Sequence, residues 1–296
     1  MEQPRQQDKR LRLAQLPVPF RLGCFVLTLL LLWSPVAVPI YFLVDDTNLE
    51  SIITIVLLYG EFIFLVRLWG KYVYKQPKIL QDYGLKFTRR NGADLLRGLV
   101  FGLIIVLALF GLEGLLGWLL WQPSQMSLPY LILEGLVVSL AVGFAEELLF
   151  RGWLLDELQR GYSLSTALWI NALLFAALHF IKPLSEIIRT LPQFAGLFVL
   201  GLTLVWAKRW RRGRLGLPMG FHGGLVWGYY IINVGSLIKY TNTVPEWITG
   251  INSNPLAGAM GLVFLIGIAL MVRKLAIAAR ISQKNQDRFT LPPSSS

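Results

Sequence analysis

Glu146, Glu147 and Arg151 fall within six residues in the stretch AVGFAEELLFRGWLL, residues 141–155. The chain has two histidines, His179 in LLFAALHF and His222 in GFHGGLVWGYY, and both stand in apolar surroundings. A carboxylate beside imidazoles is a set of groups that can activate a water by general acid–base chemistry. Two His and a Glu can also hold a hydrolytic zinc with an open water position, although HExxH on one helix, the best-known zinc arrangement, is absent. A single histidine in such a place is as often a satisfied packing residue as a working one. Two of them beside a Glu-Glu pair shift the weighing toward a site, because ionisable residues inside apolar spans default to functional readings.

The setting of these residues decides how to read them. Of the 296 residues, 55% are hydrophobic and only 15% are charged, with mean hydropathy +0.57. Soluble globular chains carry about 25% charged residues. Apolar runs of roughly 20 residues are long enough to cross a ~30 Å hydrocarbon core as helix, and the alternation of a membrane β-barrel is absent. The fold class is therefore all-α: a polytopic membrane bundle of about eight transmembrane helices. The spans are expected at residues 22–44, 51–69, 95–121, 129–155, 164–181, 190–207, 216–237 and 256–277. The lone Cys24 excludes an internal disulfide framework and a cysteine-based metal site.

The net charge of +11 carries topology information. Of 28 Lys and Arg, 25 fall on one side of these spans, and only Lys182, Arg189 and Lys239 fall on the other. Cytoplasmic loops collect Lys and Arg, so both termini are expected in the cytoplasm. This distribution argues against nucleic acid as a partner and for contact with anionic lipid headgroups. The organisation expected is a basic cytoplasmic tail at 1–21 and a single transmembrane domain at 22–281, with its core motifs within 141–236. A disordered tail is expected at 282–296. Residues 71–94 read as a cytoplasmic linker. The protein is expected to be integral and multi-pass in the cell inner membrane or its equivalent.

The elements must bring the site together. Spans four and five form a hairpin that turns near QRGYS, and Glu146 and His179 are equidistant from that turn, about 25 Å along each helix. They therefore match in depth. Glu147 and Arg151, spaced i,i+4, can pair on one helix face, which neutralises two buried charges and leaves Glu146 pointing elsewhere without that partner. Phe175 lies one turn before His179 and can pack under its ring. His222 lies eight residues past Arg214, about 12 Å of helix, shallower than the other two by this count. Gly223, Gly224 and Gly228 allow close helix approach. Glu61, Glu113 and Glu134 read as packing or interface residues.

These residues resemble a known family. EELLFR is similar to the EExxxR motif, and FAALH to the FxxxH motif, of the CAAX-protease and bacteriocin-processing (Abi-type, type II CAAX prenyl endopeptidase-like) intramembrane proteases. The approach to the third motif, FVLGLTLVWAKRW…GLPMGFH, and NPLAG before the last span also look like its prokaryotic members. The resemblance covers roughly residues 85–275. It implies an intramembrane endopeptidase in which Glu146 and His179 activate a water against a peptide carbonyl and His222 helps hold the oxyanion. Glu147, Arg151 and Phe175 would support the site. The implied partners are membrane lipids and a hydrophobic peptide or membrane-protein substrate. Members have been described both as metal-independent glutamate proteases and as metalloproteases, so the cofactor is either none or a divalent metal such as zinc on Glu146, His179 and His222. One departure stands out. The family's last motif is usually HxxxN, and here the fourth position is Val226. Loss of an oxyanion donor costs about 10²–10³ in rate, which leaves a catalytically weak or inactive scaffold or immunity-type protein as the alternative. A transporter with a proton relay is the third reading, and the lack of internal repeats speaks against it.

Overall fold

The computed structural model describes residues 10–290, with side chains described over 13–286. A helix stands at each of the eight expected spans: α1 (Val18–Leu43), α2 (Thr47–Tyr72), α3 (Arg89–Leu115), α4 (Leu128–Glu147), α5 (Leu164–Leu178), α6 (Gln193–Trp210), α7 (Gly216–Val234) and α8 (Ala259–Thr290). The protein is a polytopic helical bundle and an integral, multi-pass membrane protein. By length and apolar composition alone, five of the helical segments qualify as spans, and a sixth is added if Leu184–Thr190 and α6, bent 74° at their junction, count as one. α5 is apolar but has only 15 residues. Helix starts follow local chemistry: Asp46 accepts from the Asn48 and Leu49 N–H groups, Thr88 from Asn91 and Ser163 from Thr166, which satisfies donors that a helix start leaves orphaned.

The chain divides into two compact units. One runs to Asp82 and takes in Asp156–Tyr162; the other comprises Tyr83–Leu155 and the chain from Ser163 onward. Within the first, α1 and α2 pack through Phe25, whose ring lies edge-on to Phe62 and Trp69 at 6.0 and 5.3 Å. Arg21 donates to the Glu157 carboxylate at 3.2 Å in the same unit, and both are buried.

The second unit holds every residue singled out above for chemistry. α7 lies against α3 and α4 at backbone contact distance. A Cβ on Gly220 would meet the Leu95 carbonyl at 1.9 Å, and one on Gly143 would meet the Met219 carbonyl at 2.6 Å. Glycine is required at both places, because only the missing side chain lets the backbones approach this closely. This packing fixes where α7 carries His222.

Several boundaries differ from the expectation. The third span was expected to continue to residue 121. α3 instead stops at Leu115, the chain turns at Gly117 with φ +73°, and Leu119–Trp121 forms a short strand, β1, antiparallel to β2 (Ile238–Tyr240). The Tyr240 hydroxyl donates to the buried Glu113 at 3.3 Å, so that glutamate has a partner the sequence did not reveal. Burial, reinforced by Glu113, pushes the Tyr240 phenol above its usual range. The sixth span is preceded by the helix Leu184–Thr190, set off by Pro183 and Pro192. The linker 71–94 contains the one-turn helix Ile79–Asp82, and α3 begins within it at Arg89. α8 runs to Thr290, through 282–290 of the stretch expected to be a disordered tail. Residues 291–296 lie outside the described residues, as do residues 1–9 of the basic tail.

Candidate active site

Three side chains from three helices converge. The Glu146 Oε2 atom stands 3.6 Å from His179 Nε2 and 3.9 Å from His222 Nε2. Glu146 comes from the last turn of α4, His179 is the residue that ends α5, and His222 lies in the second turn of α7. The depth mismatch expected for His222 is therefore not present. The two counts started from different points, Arg214 for His222 and the QRGYS turn for Glu146 and His179, and the second passes through a π-helix at Leu148–Leu154.

The second ring nitrogen of each histidine is committed. His179 Nδ1 lies 2.7 Å from the Phe175 carbonyl oxygen. A carbonyl only accepts, so Nδ1 carries the hydrogen, and in the neutral ring Nε2 presents a lone pair to Glu146. His222 Nδ1 lies 2.9 Å from Glu147 Oε1, which fixes the same tautomer when Glu147 is ionised. Oε2 of Glu146 is buried and makes no hydrogen bond to the protein. Three acceptors thus face one small space, an arrangement that calls for a donor or a positive charge between them.

Glu147 stands behind this trio. Its Oε1 accepts from Arg151 Nη1 at 2.9 Å, and both side chains are fully buried. The same oxygen accepts from His222, so the ion pair that neutralises two buried charges also orients a histidine beside Glu146. The Arg151 guanidinium continues to the Gly201 carbonyl at 3.3 Å and lies over the Phe175 ring, 4.1 Å from its centroid. Phe175 is fully buried. Its ring sits 4.7 Å from that of His179 and 6.1 Å from that of His222. It packs under His179, as its spacing suggests, and against the Arg151 guanidinium as well.

Between the glutamates and α5 the helix changes pitch. Leu148–Leu154 is a π-helix, a form that is rare and concentrated at functional sites. The wider turn leaves carbonyls free to accept from outside. The Phe150 carbonyl accepts from Asn171 Nδ2 at 2.8 Å, and the Arg151 carbonyl from Lys208 Nζ at 2.6 Å. Sequence reasoning missed Asn171 and Lys208. The buried asparagine in an apolar helix was the available signal for the first; Lys208, inside KRWRRGR, looked like one more loop cation.

The trio opens on a cavity of about 290 Å³ whose walls are mostly apolar, from Leu109, Val142, Leu200 and Phe264 among others. Its remaining polar lining is Gln193, Tyr229 and Asn254. Val226 faces it too, so the position where the family motif has Asn presents an isopropyl group to the cavity. Asn233, which the sequence placed too far along the helix to substitute, instead donates to the Tyr229 hydroxyl at 2.9 Å. Asn254 accepts through Oδ1 from the Leu256 N–H at 3.0 Å.

Residues 128–228 match the family model for type II CAAX prenyl endopeptidase Rce1-like proteins. Over these residues the chain is similar to that family. The match takes in Glu146, Glu147, Arg151, Phe175, His179 and His222, and it ends two residues past Val226. An uncharacterised protein of Bacillus subtilis (strain 168), YpbD, is 36% identical over 99 residues, which is 33% of this chain and 43% of that protein. The chain thus aligns with less than half the length of this relative. No solved structure matches the chain.

Proposed function

We propose that this protein is an intramembrane endopeptidase that hydrolyses a peptide bond of a hydrophobic or membrane-associated substrate. One observation carries the reading: the Glu146 carboxylate oxygen lacks a protein hydrogen bond and faces two imidazole Nε2 atoms at the wall of an apolar cavity. A water in that space donates one hydrogen to Glu146 Oε2 and the other to His179 Nε2, and its oxygen attacks the substrate carbonyl. Glu146 takes the proton, general-base work that contributes roughly 10²–10⁴ in rate. His222, whose Nδ1–H is held by Glu147, takes a proton from bulk water onto Nε2 as substrate binds, and the tetrahedral oxyanion accepts from that N–H. As the C–N bond breaks, Glu146 returns its proton to the leaving nitrogen.

A tetrahedral metal with ligand bonds of 2.0–2.2 Å would set its ligand atoms about 3.3–3.5 Å apart. The separations from Glu146 are 3.6 and 3.9 Å, and no group of three or more His, Cys, Asp or Glu among the described residues is placed to hold a metal ion. On these separations we read the site as metal-independent, with Glu146 and the two imidazoles supplying the proton transfers.

We also propose eight membrane crossings with both termini cytoplasmic, on the 25-to-3 distribution of Lys and Arg, in the cell inner membrane or its equivalent. The cavity would then open toward the cytoplasm. A second reading, a weak or inactive scaffold of the same fold, is favoured by one specific observation, Val226 in place of an oxyanion donor. The test separates them. Purified protein is incubated with a library of membrane peptides, and products are read by mass spectrometry. Cleavage that is lost in Glu146→Gln and in His179→Ala is expected. Cleavage that survives both, or no cleavage by the wild-type protein, removes the enzyme reading in favour of the scaffold.

A further inference from the structure

We propose that a second, separate cavity is a binding site for one anionic glycerophospholipid. It measures about 400 Å³ and is lined by Arg97 and Phe101 of α3, Trp210 and Arg211 at the end of α6, Phe221 of α7 and Met271 of α8, among others. It shares no lining residue with the cavity of Glu146. Its two ends differ in chemistry. The body is apolar: the Phe101 and Phe221 rings stack obliquely at 5.5 Å, with Met271 and Val272 beside them. The mouth is cationic.

Among the described residues, the charge at the mouth is only partly balanced. Asp94 is fully buried and accepts two bonds from Arg214, at 2.8 and 2.7 Å, and two from Arg211. Arg97 reaches the same carboxylate only at 3.6 Å, and its side chain is 68% exposed. Three guanidinium groups therefore surround one carboxylate, which leaves two positive charges in excess. Arg211 and Arg214 are held in place by Asp94, whereas Arg97 is free to turn toward a ligand. An Arg cluster of this kind is suited to a phosphate, which guanidinium groups recognise through paired hydrogen bonds. The occupant must join a phosphate to a hydrocarbon chain, because the same cavity offers an apolar slot. In a multi-pass membrane protein, an anionic phospholipid of the leaflet on the KRWRRGR side has that chemistry. Its phosphate would lie on Arg97 and Arg211 and one acyl chain along Phe101, Phe221 and Met271.

The site also touches the catalytic arrangement through one helix. Phe221 and His222 are neighbours on α7, one facing this cavity and the other the trio. Lipid retention can nevertheless be measured without any substrate or activity.

The test uses the full chain in detergent, with bound lipid counted by native mass spectrometry. Phosphatidylglycerol, phosphatidylcholine and inorganic phosphate are titrated separately. One phosphatidylglycerol per chain is expected. Arg97→Gln should lower its retention by about fivefold, the equivalent of roughly 1 kcal/mol for one Arg near an anionic lipid, while leaving the elution profile of the folded protein unchanged. Arg90→Gln, an exposed neighbour that does not line the cavity, should change nothing. Equal retention of phosphatidylcholine would mean an apolar slot without headgroup recognition and would overturn the proposal. So would release of the lipid by millimolar inorganic phosphate, or equal loss in the Arg97 and Arg90 variants.

Discussion

Each of the two compact units contains a buried Glu–Arg pair, and the two pairs are used differently. In the first unit, Arg21 donates Nε to Glu157 Oε2 at 3.2 Å and turns its remaining nitrogens to the Leu16 and Glu157 carbonyls. Its hydrogen bonds go to backbone or to its partner, and the other oxygen of Glu157 faces Arg160 Nε at 4.0 Å, away from any histidine. In the second unit, Arg151 meets Glu147 at 2.9 Å, and the same carboxylate oxygen accepts from His222. The chemistry of the two pairs is alike and their burial is similar. The difference lies in the carboxylate's other neighbours. A buried ion pair is weak evidence for stability, since desolvation offsets much of the attraction. It becomes informative when one partner reaches beyond the pair, as Glu147 does toward an imidazole that faces Glu146.

The comparison makes sharp predictions, and the largest concerns the carboxylate that belongs to neither pair. Glu146 has no hydrogen bond to its Oε2, so Glu146→Gln should leave folding and yield nearly unchanged while peptide cleavage falls by roughly 10²–10⁴. Thermal unfolding in detergent and a cleavage assay read the two quantities separately. A large loss of folded protein in this variant would place Glu146 among the structural groups.

Arg151→Ala comes next. It leaves Glu147 buried without its cation and should cost about 3–5 kcal/mol of stability. It also frees Glu147 from the geometry that holds His222, so cleavage per folded molecule should fall as well. Arg21→Ala is the matched control. It should destabilise the protein in the same manner but leave cleavage per folded molecule at the wild-type level, because its pair touches no residue of the site. If both variants lose activity only in proportion to folded protein, Glu147 does no more for His222 than Glu157 does for its surroundings.

Much of this was legible in the sequence, and the reasons can be stated residue by residue. Long apolar runs fixed the eight helices because burial in lipid leaves few alternatives to helix. The equal count from the QRGYS turn puts Glu146 across from His179, although a π-helix at Leu148–Leu154 interrupts the regular helix between that turn and Glu146. The i,i+4 spacing gave Glu147 and Arg151. What was not legible depends on contacts between distant segments. The π-helix at Leu148–Leu154 has no propensity signal of its own; it is stabilised by Asn171 and Lys208, from two other segments, bonding to its carbonyls. The Glu147–His222 bond spans 75 positions and depends on how closely α7 approaches α4 at Gly143. The β1–β2 ribbon replaced helix ends because Gly117 adopts a positive φ, which an apolar run does not announce.

The smallest expected effect tests the weakest point of the site. Val226 lies one helical turn past His222 and lines the cavity. An Asn there would present an amide N–H₂ to the same space as the His222 ring, at the position where the family motif carries that residue. A fully preorganised oxyanion donor is worth about 10²–10³ in rate. A donor introduced without neighbours to hold its rotamer should recover only part of that, roughly tenfold in kcat with KM little changed, since an oxyanion forms only in the transition state. Val226→Asn measured in the Glu146→Gln background should give no gain, because without the base no oxyanion forms. Two outcomes would count against this arrangement. An unchanged kcat with normal folding would mean that another group, such as the Asn254 amide on the cavity wall, already fills that role, and Asn254→Leu should then lower kcat instead. A loss of activity would mean that the isopropyl group packs against the substrate, and that apolar contact at this wall matters more than a second donor.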